Sequence, residues 1–305
     1  LGLKTLIDIC GINTQPNVYH MGYVLGPRIN AGGRVGKSSH GANLLINNNA
    51  KEVFKIASEL DQFNKERKYL EEEVLDKITI EANKTRSDPV IIVSGKNWHE
   101  GVIGIVASRL KDKFNKPVII ITVDNSLGKA SARSIIGFDI GSIIIAATQE
   151  KILIKGGGHK MAGGFTIDVN NIEKFKEFVL KKFKNSVGNL VKEKSLYLDS
   201  IISPAALNLD FFNKIDSLAP FGSGNPEPKF VIENLKTMNS KVIKNKHIKS
   251  VLLGQDGSII KTIAFNSAGN EIGAYLLKKD KKLFNIAGKL SLNEWKGQSN
   301  VEFII

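Results

Sequence analysis

Two short segments carry residue types suited to gripping a phosphate. One is Ser131-Ala132-Arg133-Ser134; the other is Gly156-Gly157-Gly158-His159, which continues through Met161 to Gly163 and Gly164. Ser131 and Arg133 stand at i and i+2, so on a strand a hydroxyl and a guanidinium share one face. The consecutive glycines remove every Cβ that would hold a ligand away from the backbone. Read as a loop, they also offer N–H groups able to form an anion-binding concavity. A charge-assisted hold on a phosphodiester is the chemistry such a pair of segments suits. A turn that is glycine-rich only because it packs tightly is the competing reading of the second segment.

Arginine usage points the same way. Of 43 Lys plus Arg, only six are Arg: Arg28, Arg34, Arg67, Arg86, Arg109 and Arg133. Arginine is then expected where a planar two-pronged donor is needed rather than charge alone. Four of the six fall in glycine-marked segments: Arg28 and Arg34 in LGPRINAGGRVG, Arg109 in GVIGIVASRL, and Arg133. Arg67 and Arg86 read as solvated positions of a charged helix and its exit, while Arg109 suits either a substrate contact or a carboxylate partner.

The composition sets bounds. A length of 305 residues suggests two domains, and no apolar run approaches the roughly 20 residues that span a bilayer. The single cysteine, Cys10, rules out an internal disulfide and a cysteine-based zinc site, which suits a reducing, cytoplasmic setting. A formal charge of +13 calls for an anionic partner, nucleic acid first. The opening Leu1, where Met would stand, reads as a piece of a longer protein.

The elements that must position these residues follow from periodicity. Residues 1–49 read as a short helix, an extended linker, the glycine-rich LGPRINAGGRVG and a second short helix. Residues 50–85 give one long helix, with Val53, Ile56, Ala57, Leu60, Phe63, Leu70, Val74, Leu75 and Ile78 approximating its apolar stripe. A helix about 50 Å long more often bridges domains than sits within one. Residues 86–187 alternate strands and helices as a single α/β unit: VIIVSG and PVIIITVD read as buried parallel strands, followed by KASARS, a helix capped by Asp139, FTIDV and an amphipathic helix with Asn170 and Glu173 in a capping box. A polar break, NSVGNLVKEKS, precedes residues 195–305, where a helix and a Pro/Gly-rich connector lead into five strands with one helical segment between the third and fourth. That is the order of an OB-fold. Twelve Lys against five acidic residues make 236–305 strongly basic.

Taken in order, LGPRINAGGRVG, NWHEGVIGIVASRL, SARSIIGFDI, GGGHKMAGGFTI, LAPFGSGNPEPKF and LSLNEWKGQSNVEFII resemble landmarks of the RecJ-type exonucleases of the DHH phosphoesterase superfamily. GGGHKMAGG alone would indicate only a DHH-associated domain; the long helix, the SARS segment and the OB-like end narrow the resemblance. It covers essentially the whole chain and implies an α/β plus β architecture: the end of a DHH domain, a long connecting helix, an α/β DHH-associated domain, then an OB-like five-stranded barrel. It implies metal-dependent 5′-to-3′ degradation of single-stranded DNA in repair and recombination, with Mn²⁺ or Mg²⁺. The chain departs from the family at the metal site. It has no Asp-His-His triplet and no Asp-x-Asp, and His20, His40, His99, His159 and His247 are isolated. A two-metal site needs converging carboxylates around ions about 3.5–4 Å apart, so the ligands are expected in an N-terminal domain outside this sequence, and the chain alone is expected to be inactive.

By matched motif, the resemblance implies that Ser131, Arg133 and Ser134, with Gly156, Gly157 and Gly158, hold backbone phosphate beside the scissile bond. It places His159 near that phosphate as a donor or stabiliser of developing charge, unless it merely braces the glycine turn. Arg28 is expected to contact the 5′-terminal phosphate, whereas Asn30 and Arg34 serve either substrate or the start of the long helix. Trp98 and His99 precede a helix starting near Gly101, whose N-terminus would attract an anion; a tight strand-to-helix connection is the competing and preferred reading. Lys246, His247, Lys249, Trp295 and Lys296 form a candidate stacking and charge track for a single strand. The expected partners are single-stranded DNA and a single-strand-binding protein or helicase, with no membrane and a monomeric state. Two other readings stay open: a stand-alone single-stranded nucleic-acid-binding module, and an oligonucleotide phosphatase of the same superfamily.

Overall fold

The structure is a computed structural model that describes residues 1–186, 195–278, 282–295 and 297–305; Trp295 is described by its backbone alone. Most of the polar NSVGNLVKEKS break and Lys296 therefore lie outside the described residues. The chain divides into two compact units, Leu1–Lys194 and Ser195–Ile305.

The first unit opens with α1 (Gly2–Ile9), a π-helical stretch (His20–Leu25), α2 (Gly26–Val35), α3 (His40–Ile46) and α4 (Ala50–Lys84). The glycine-rich segment LGPRINAGGRVG is thus helical. Gly26, Gly32 and Gly36 serve close packing, a Cβ at Gly36 falling 2.5 Å from the Phe63 ring and one at Gly32 2.6 Å from the Lys37 carbonyl oxygen, whereas a Cβ at Gly33 would meet nothing within 4 Å. Asn49 starts α4 by accepting hydrogen bonds from the Lys51 and Glu52 amides. The stripe on α4 serves two cores in turn. Val53, Ile56, Ala57 and Leu60 pack with Leu6, Leu25 and Leu44; Val74, Ile78 and Ala82 pack with Ile91, Val93, Val102 and Val106.

Beyond α4 lie β1 (Ile91–Lys96), α5 (Glu100–Phe114), β2 (Val118–Asp124), β3 (Leu127–Arg133), α6 (Ile140–Gln149), β4 (Lys155–His159), β5 (Ala162–Asp168) and α7 (Ile172–Ser186). They form one five-stranded sheet in the order β1-β2-β3-β5-β4. Only β1 and β2 run parallel; every later pairing is antiparallel. Ile119, Ile120 and Ile121 are fully buried, because both faces of β2 are covered; each such side chain contributes about 2 kcal/mol. The Gly156–Gly158 run is a correction to the loop reading: it is a strand on the sheet edge, hairpinned to β5 through Lys160 and Met161. Asp139 caps α6 by accepting from the Ser142 amide, as its position suggests. Ahead of α7 it is Asp168, rather than Asn170, whose side chain accepts a backbone N–H, that of Asn170.

The second unit contains β6 (Ser200–Ile201), α8 (Leu209–Asp216), β7 (Phe230–Ile243), β8 (His247–Leu253), β9 (Ile259–Ala264), α9 (Glu271–Leu277), β10 (Phe284–Trp295) and β11 (Gln298–Ile304). Strands β7-β8-β9-β11-β10 close on themselves through a β10–β7 pairing. With β11 parallel to β9 and α9 between the third and fourth barrel strands, this is the five-stranded OB barrel. Its interior holds Phe230, Ile232, Leu235, Leu252, Ile260, Ile286, Leu290 and Phe303.

Candidate nucleic-acid interface

Register places the phosphate-type residues on one face of the first unit's sheet. Across antiparallel strands, directly paired residues point the same way. Arg133 pairs with Ala162 and Ala162 with His159; Ser131 pairs with Gly164 and Gly164 with Gly157; Lys129 pairs with Thr166 and Thr166 with Lys155. Three parallel rows result, each crossing three strands over about 10 Å. The opposite face carries Ala132, Phe165 and Ile167 into a core with Ile144, Phe175 and Val179, and is closed by α6 and α7. On the near face α5 packs on β2 and part of β3, and α4 on β1. Over β5 and β4 the floor between Lys155 and His159 is glycine, alanine and threonine.

The glycines divide along these faces. A Cβ at Gly156 would fall 2.7 Å from Ile144 Cγ2, one at Gly163 2.5 Å from Ile144 Cδ1, and one at Gly158 2.5 Å from the Ala162 carbonyl oxygen. Tight packing explains all three. A Cβ at Gly157 would meet nothing within 4 Å, and one at Gly164 only the Ala130 carbonyl oxygen at 3.3 Å. Packing makes no demand at Gly157, whereas a methyl at Gly164 would press on that backbone oxygen; both positions lie on the open face beside Ser131.

Arg133 is half-buried there. Its Nη1 donates to Ser131 Oγ at 3.1 Å and to the Ala132 carbonyl at 2.8 Å. No carboxylate pairs with it among the described residues. Burial, and then the charge of Arg34 beside it, pull its pKa below the ordinary arginine range. Gly104 on α5 makes room for the pair, since a Cβ there would fall 3.0 Å from both Arg133 Nη2 and Ser131 Oγ. A partly desolvated guanidinium without an acid favours an incoming anion. His159 is exposed at the end of β4, its Nδ1 accepting from the Met161 amide at 3.3 Å. It therefore both braces the hairpin turn and leaves Nε2 on the open face.

A groove of about 1010 Å³ extends from Ser131 over the Lys129–Thr166–Lys155 row, walled by Gly33–Gly36 at the end of α2 and His99–Gly101 at the start of α5. Arg34 Nη1 donates to the Gly101 carbonyl at 3.2 Å, joining the two walls. Trp98 is buried against Gly95, a structural role. His99 caps α5, its Nδ1 accepting from the Gly101 amide at 3.1 Å, and its ring lines the groove. Sequence reading passed over Lys129, Lys155, Thr166 and Gly104. The i, i+2 alternation from Ser131 would have found Lys129; Lys155 needed the glycine run to be recognised as a strand.

Two candidates are corrected by the structure. Ser134 is fully buried, one residue past β3, with Oγ donating to the Phe138 carbonyl at 2.6 Å; its hydroxyl closes a turn away from the open face. Arg28 sits on α2 with Nε on Asp61 at 2.8 Å and Nη1 on the Val24 carbonyl at 2.8 Å. Its fork is spent pinning α2 to α4. Arg67 likewise leaves the solvated class, pairing at 2.5 Å with buried Glu71, which also holds Arg109 at 2.6 Å.

On the barrel, alternation turns Lys241, Lys249 and Lys261 outward. With Asn239, Asn293, Asn300 and Glu302 they line a second groove of about 590 Å³. Glu302 accepts from Lys249 at 2.9 Å and Asn293 at 3.1 Å. Burial pushes its pKa up, but these bonds outweigh it and hold it below the usual range. Lys246 is exposed in the β7–β8 turn and is not gathered into this groove. His247 accepts from the Asn266 amide at 2.9 Å and stacks edge-on to Phe265, bracing a loop. Trp295 ends β10, opposite Gln298 in the hairpin; its side chain lies outside the described residues.

The resemblance implies a divalent metal, and the residues do not fit one. No group of three or more His, Cys, Asp or Glu among the described residues can hold an ion. The little-exposed carboxylates Asp61 and Glu71 are committed to Arg28, Arg67 and Arg109. No helix among the described residues is long and apolar enough to cross a membrane.

Comparison with known proteins agrees with both units. Residues 87–185 match the DHHA1 domain and residues 198–305 the RecJ OB domain. The single-stranded-DNA-specific exonuclease RecJ of Haemophilus influenzae is 31% identical over 321 residues, covering 100% of this chain and 54% of that protein. Its Bacillus subtilis counterpart is 28% identical over 314 residues, covering 100% of this chain and 39% of that one. The crystal structure of Thermus thermophilus RecJ in complex with Mn²⁺ superposes with a TM-score of 0.82 at 26% identity, over 99% of this chain and 43% of that chain. The same protein with Mg²⁺ gives 0.81. The chain thus spans about half the length, or less, of these relatives. Homologous along its whole length to RecJ and matching its C-terminal portion, the chain carries the DHHA1 and OB domains of the RecJ exonuclease family.

Proposed function

We propose that this chain is the substrate-gripping part of a RecJ-like 5′-to-3′ exonuclease acting on single-stranded DNA in repair and recombination. The observation that carries the reading is half-buried Arg133, without an acidic partner among the described residues, sharing a face with Ser131 and His159 and with Gly157, a glycine that packing does not require. In this reading Arg133 and Ser131 hold a backbone phosphate beside the scissile bond, over the glycine strand. His159 donates to that phosphate or stabilises charge developing on it. The outer face of the barrel, with Lys246 in the β7–β8 turn and Trp295 at the end of β10, binds further along the strand.

The metal ions of such a reaction require ligands beyond the described residues, so the 305-residue chain is expected to bind without hydrolysing. The division of the first unit at 49/50 and 85/86 belongs to this reading and is supported by the two cores that α4 serves in turn. A cytoplasmic, monomeric protein working with a single-strand-binding protein or helicase is its cellular counterpart.

Incubation with 5′-phosphorylated single-stranded DNA and Mn²⁺, with binding followed across salt concentrations, tests the reading. Salt-sensitive binding that weakens in Arg133→Ala, without hydrolysis, is expected. Robust hydrolysis would overturn the assignment of the metal ligands; binding indifferent to Arg133 would remove the sheet face from the site. Affinity confined to mononucleotides would favour the phosphatase reading instead.

A further inference from the structure

The groove beside Ser131 holds more than one phosphate contact requires. Arg133 and His159 occupy the row at one end of the open face, and the groove runs away from them over Lys129, Thr166 and Lys155. Rows on one face lie two residues apart along each strand, about 7 Å, comparable with the step between successive phosphates of an extended single strand. Lys155 has no acidic partner among the described residues. Lys129 has one, Glu100 at 2.6 Å, but both side chains are mostly exposed, and such a pair is readily exchanged.

His99 stands across the groove from this row. Its Nδ1 already accepts the Gly101 amide hydrogen. The ring nitrogen that accepts carries no proton, so in the neutral ring Nε2 bears the hydrogen and is a donor. No acceptor for it exists among the described residues.

We infer that Lys155, Thr166 and Lys129 on the sheet, with His99 Nε2–H opposite, form a second phosphate subsite holding the backbone downstream of the phosphate at Arg133. This deepens the function proposed above and rests on it. The groove then sets how many nucleotides the first unit engages, and a single strand is fed along the glycine strand rather than across it.

The test uses the full 305-residue chain and 5′-phosphorylated thymidine oligonucleotides labelled at the 3′ end, a dinucleotide and a tetranucleotide, with fluorescence anisotropy as readout. Lys155→Ala is expected to weaken tetranucleotide binding about tenfold, the worth of one charge-assisted contact, and to lower the salt slope by about 0.7. His99→Asn keeps a capping oxygen for Gly101 but lacks the donor at Nε2. Its melting temperature should stay unchanged while tetranucleotide affinity falls about threefold, consistent with a lost neutral hydrogen bond. Dinucleotide binding should be unaffected in both variants, whereas Arg133→Ala weakens both ligands. Wild-type tetranucleotide binding in Lys155→Ala and His99→Asn overturns the subsite while leaving Arg133 in place. Equal losses for both ligands also overturn it, since the defect would then lie at the Arg133 row. Length-dependent losses with an indifferent Arg133→Ala would keep the groove and sink the Arg133 assignment alone.

Discussion

The arginines of the helical buttress and those of the sheet face are treated oppositely by the same fold. On α2, α4 and α5, Arg28, Arg67 and Arg109 each end on a carboxylate: Asp61 for the first, Glu71 for the other two. At the groove, Arg34 and Arg133 have backbone carbonyls and a serine hydroxyl for company and, among the described residues, no acid. Residue type does not separate the sets. A chain that meets most of its need for positive charge with lysine keeps arginine for two duties, locking helices together and waiting for an anion. The counter-ion tells which duty is which. If this distinction is sound, removing a member of the first set costs stability and leaves binding alone, and removing a member of the second does the reverse.

The largest effect is expected at Glu71, 1% exposed and shared by Arg67 and Arg109. Glu71→Ala leaves Arg67, itself 11% exposed, without its counter-charge. A loss of about 3–5 kcal/mol is expected in denaturant unfolding, with single-strand affinity of the folded fraction unchanged. A drop in affinity at low denaturant would show that the buttress is part of the site. Arg133→Leu comes next. Removing its contacts to a phosphate should weaken single-strand binding by about 1.5–3 kcal/mol, roughly tenfold to a hundredfold. Stability should hold or rise, because a desolvated, unpaired cation disappears. Arg133→Lys keeps the charge and should still lose most of that affinity, because the fork is gone.

Two smaller effects sharpen the boundary. Gly163→Ala drives a methyl against Ile144 on the closed face and should cost about 1–3 kcal/mol in unfolding experiments. Asp61 ties Arg28 to the buttress, and its behaviour in acid reports on that tie. Burial raises its pKa, but hydrogen bonds from Lys65 and Arg28 outweigh burial and depress it. A depressed carboxylate contributes stability above its unfolded pKa and loses it as pH falls through the folded value. The gap in stability between wild type and Asp61→Asn should therefore be full above about pH 5 and close below about pH 4. A gap independent of pH would mean that Asp61 acts by packing alone.

The sequence was informative where a pattern is local and misleading where a glycine or arginine has two uses. The α4 helix, the Asp139 cap, the OB strand order and the shared face of Ser131 and Arg133 all follow from periodicity, capping chemistry or alternation, and all are present. The Gly156–Gly158 run reads as a loop because glycine is rare in strands. What holds it in the sheet is pairing to β5, a contact made outside the run itself. Arg28 reads as a substrate residue because glycine surrounds it, yet its partner Asp61 is 33 positions away and on another helix. Ser134 continues the SARS pattern on paper, but β3 ends one residue earlier and the chain turns inward. Lys155 and Thr166 were invisible for the same reason as the strand: they join Lys129 only through register.

The smallest expected effect divides the glycine run most sharply. Gly157 lies one residue from glycines that packing fixes, on the face where a Cβ meets nothing. Gly157→Ala should leave stability unchanged or raise it by about 0.5–1 kcal/mol, because alanine restricts the unfolded chain and suits a strand better than glycine. If the open face receives a strand of nucleic acid, the same methyl stands where the sugar-phosphate backbone must approach Ser131. Affinity for single-stranded DNA should then fall by a few-fold even as the melting temperature holds or climbs. A stabilised variant that binds as well as wild type would return Gly157 to the tight-turn explanation, and with it the case that this half of the sheet is bare for a ligand's sake.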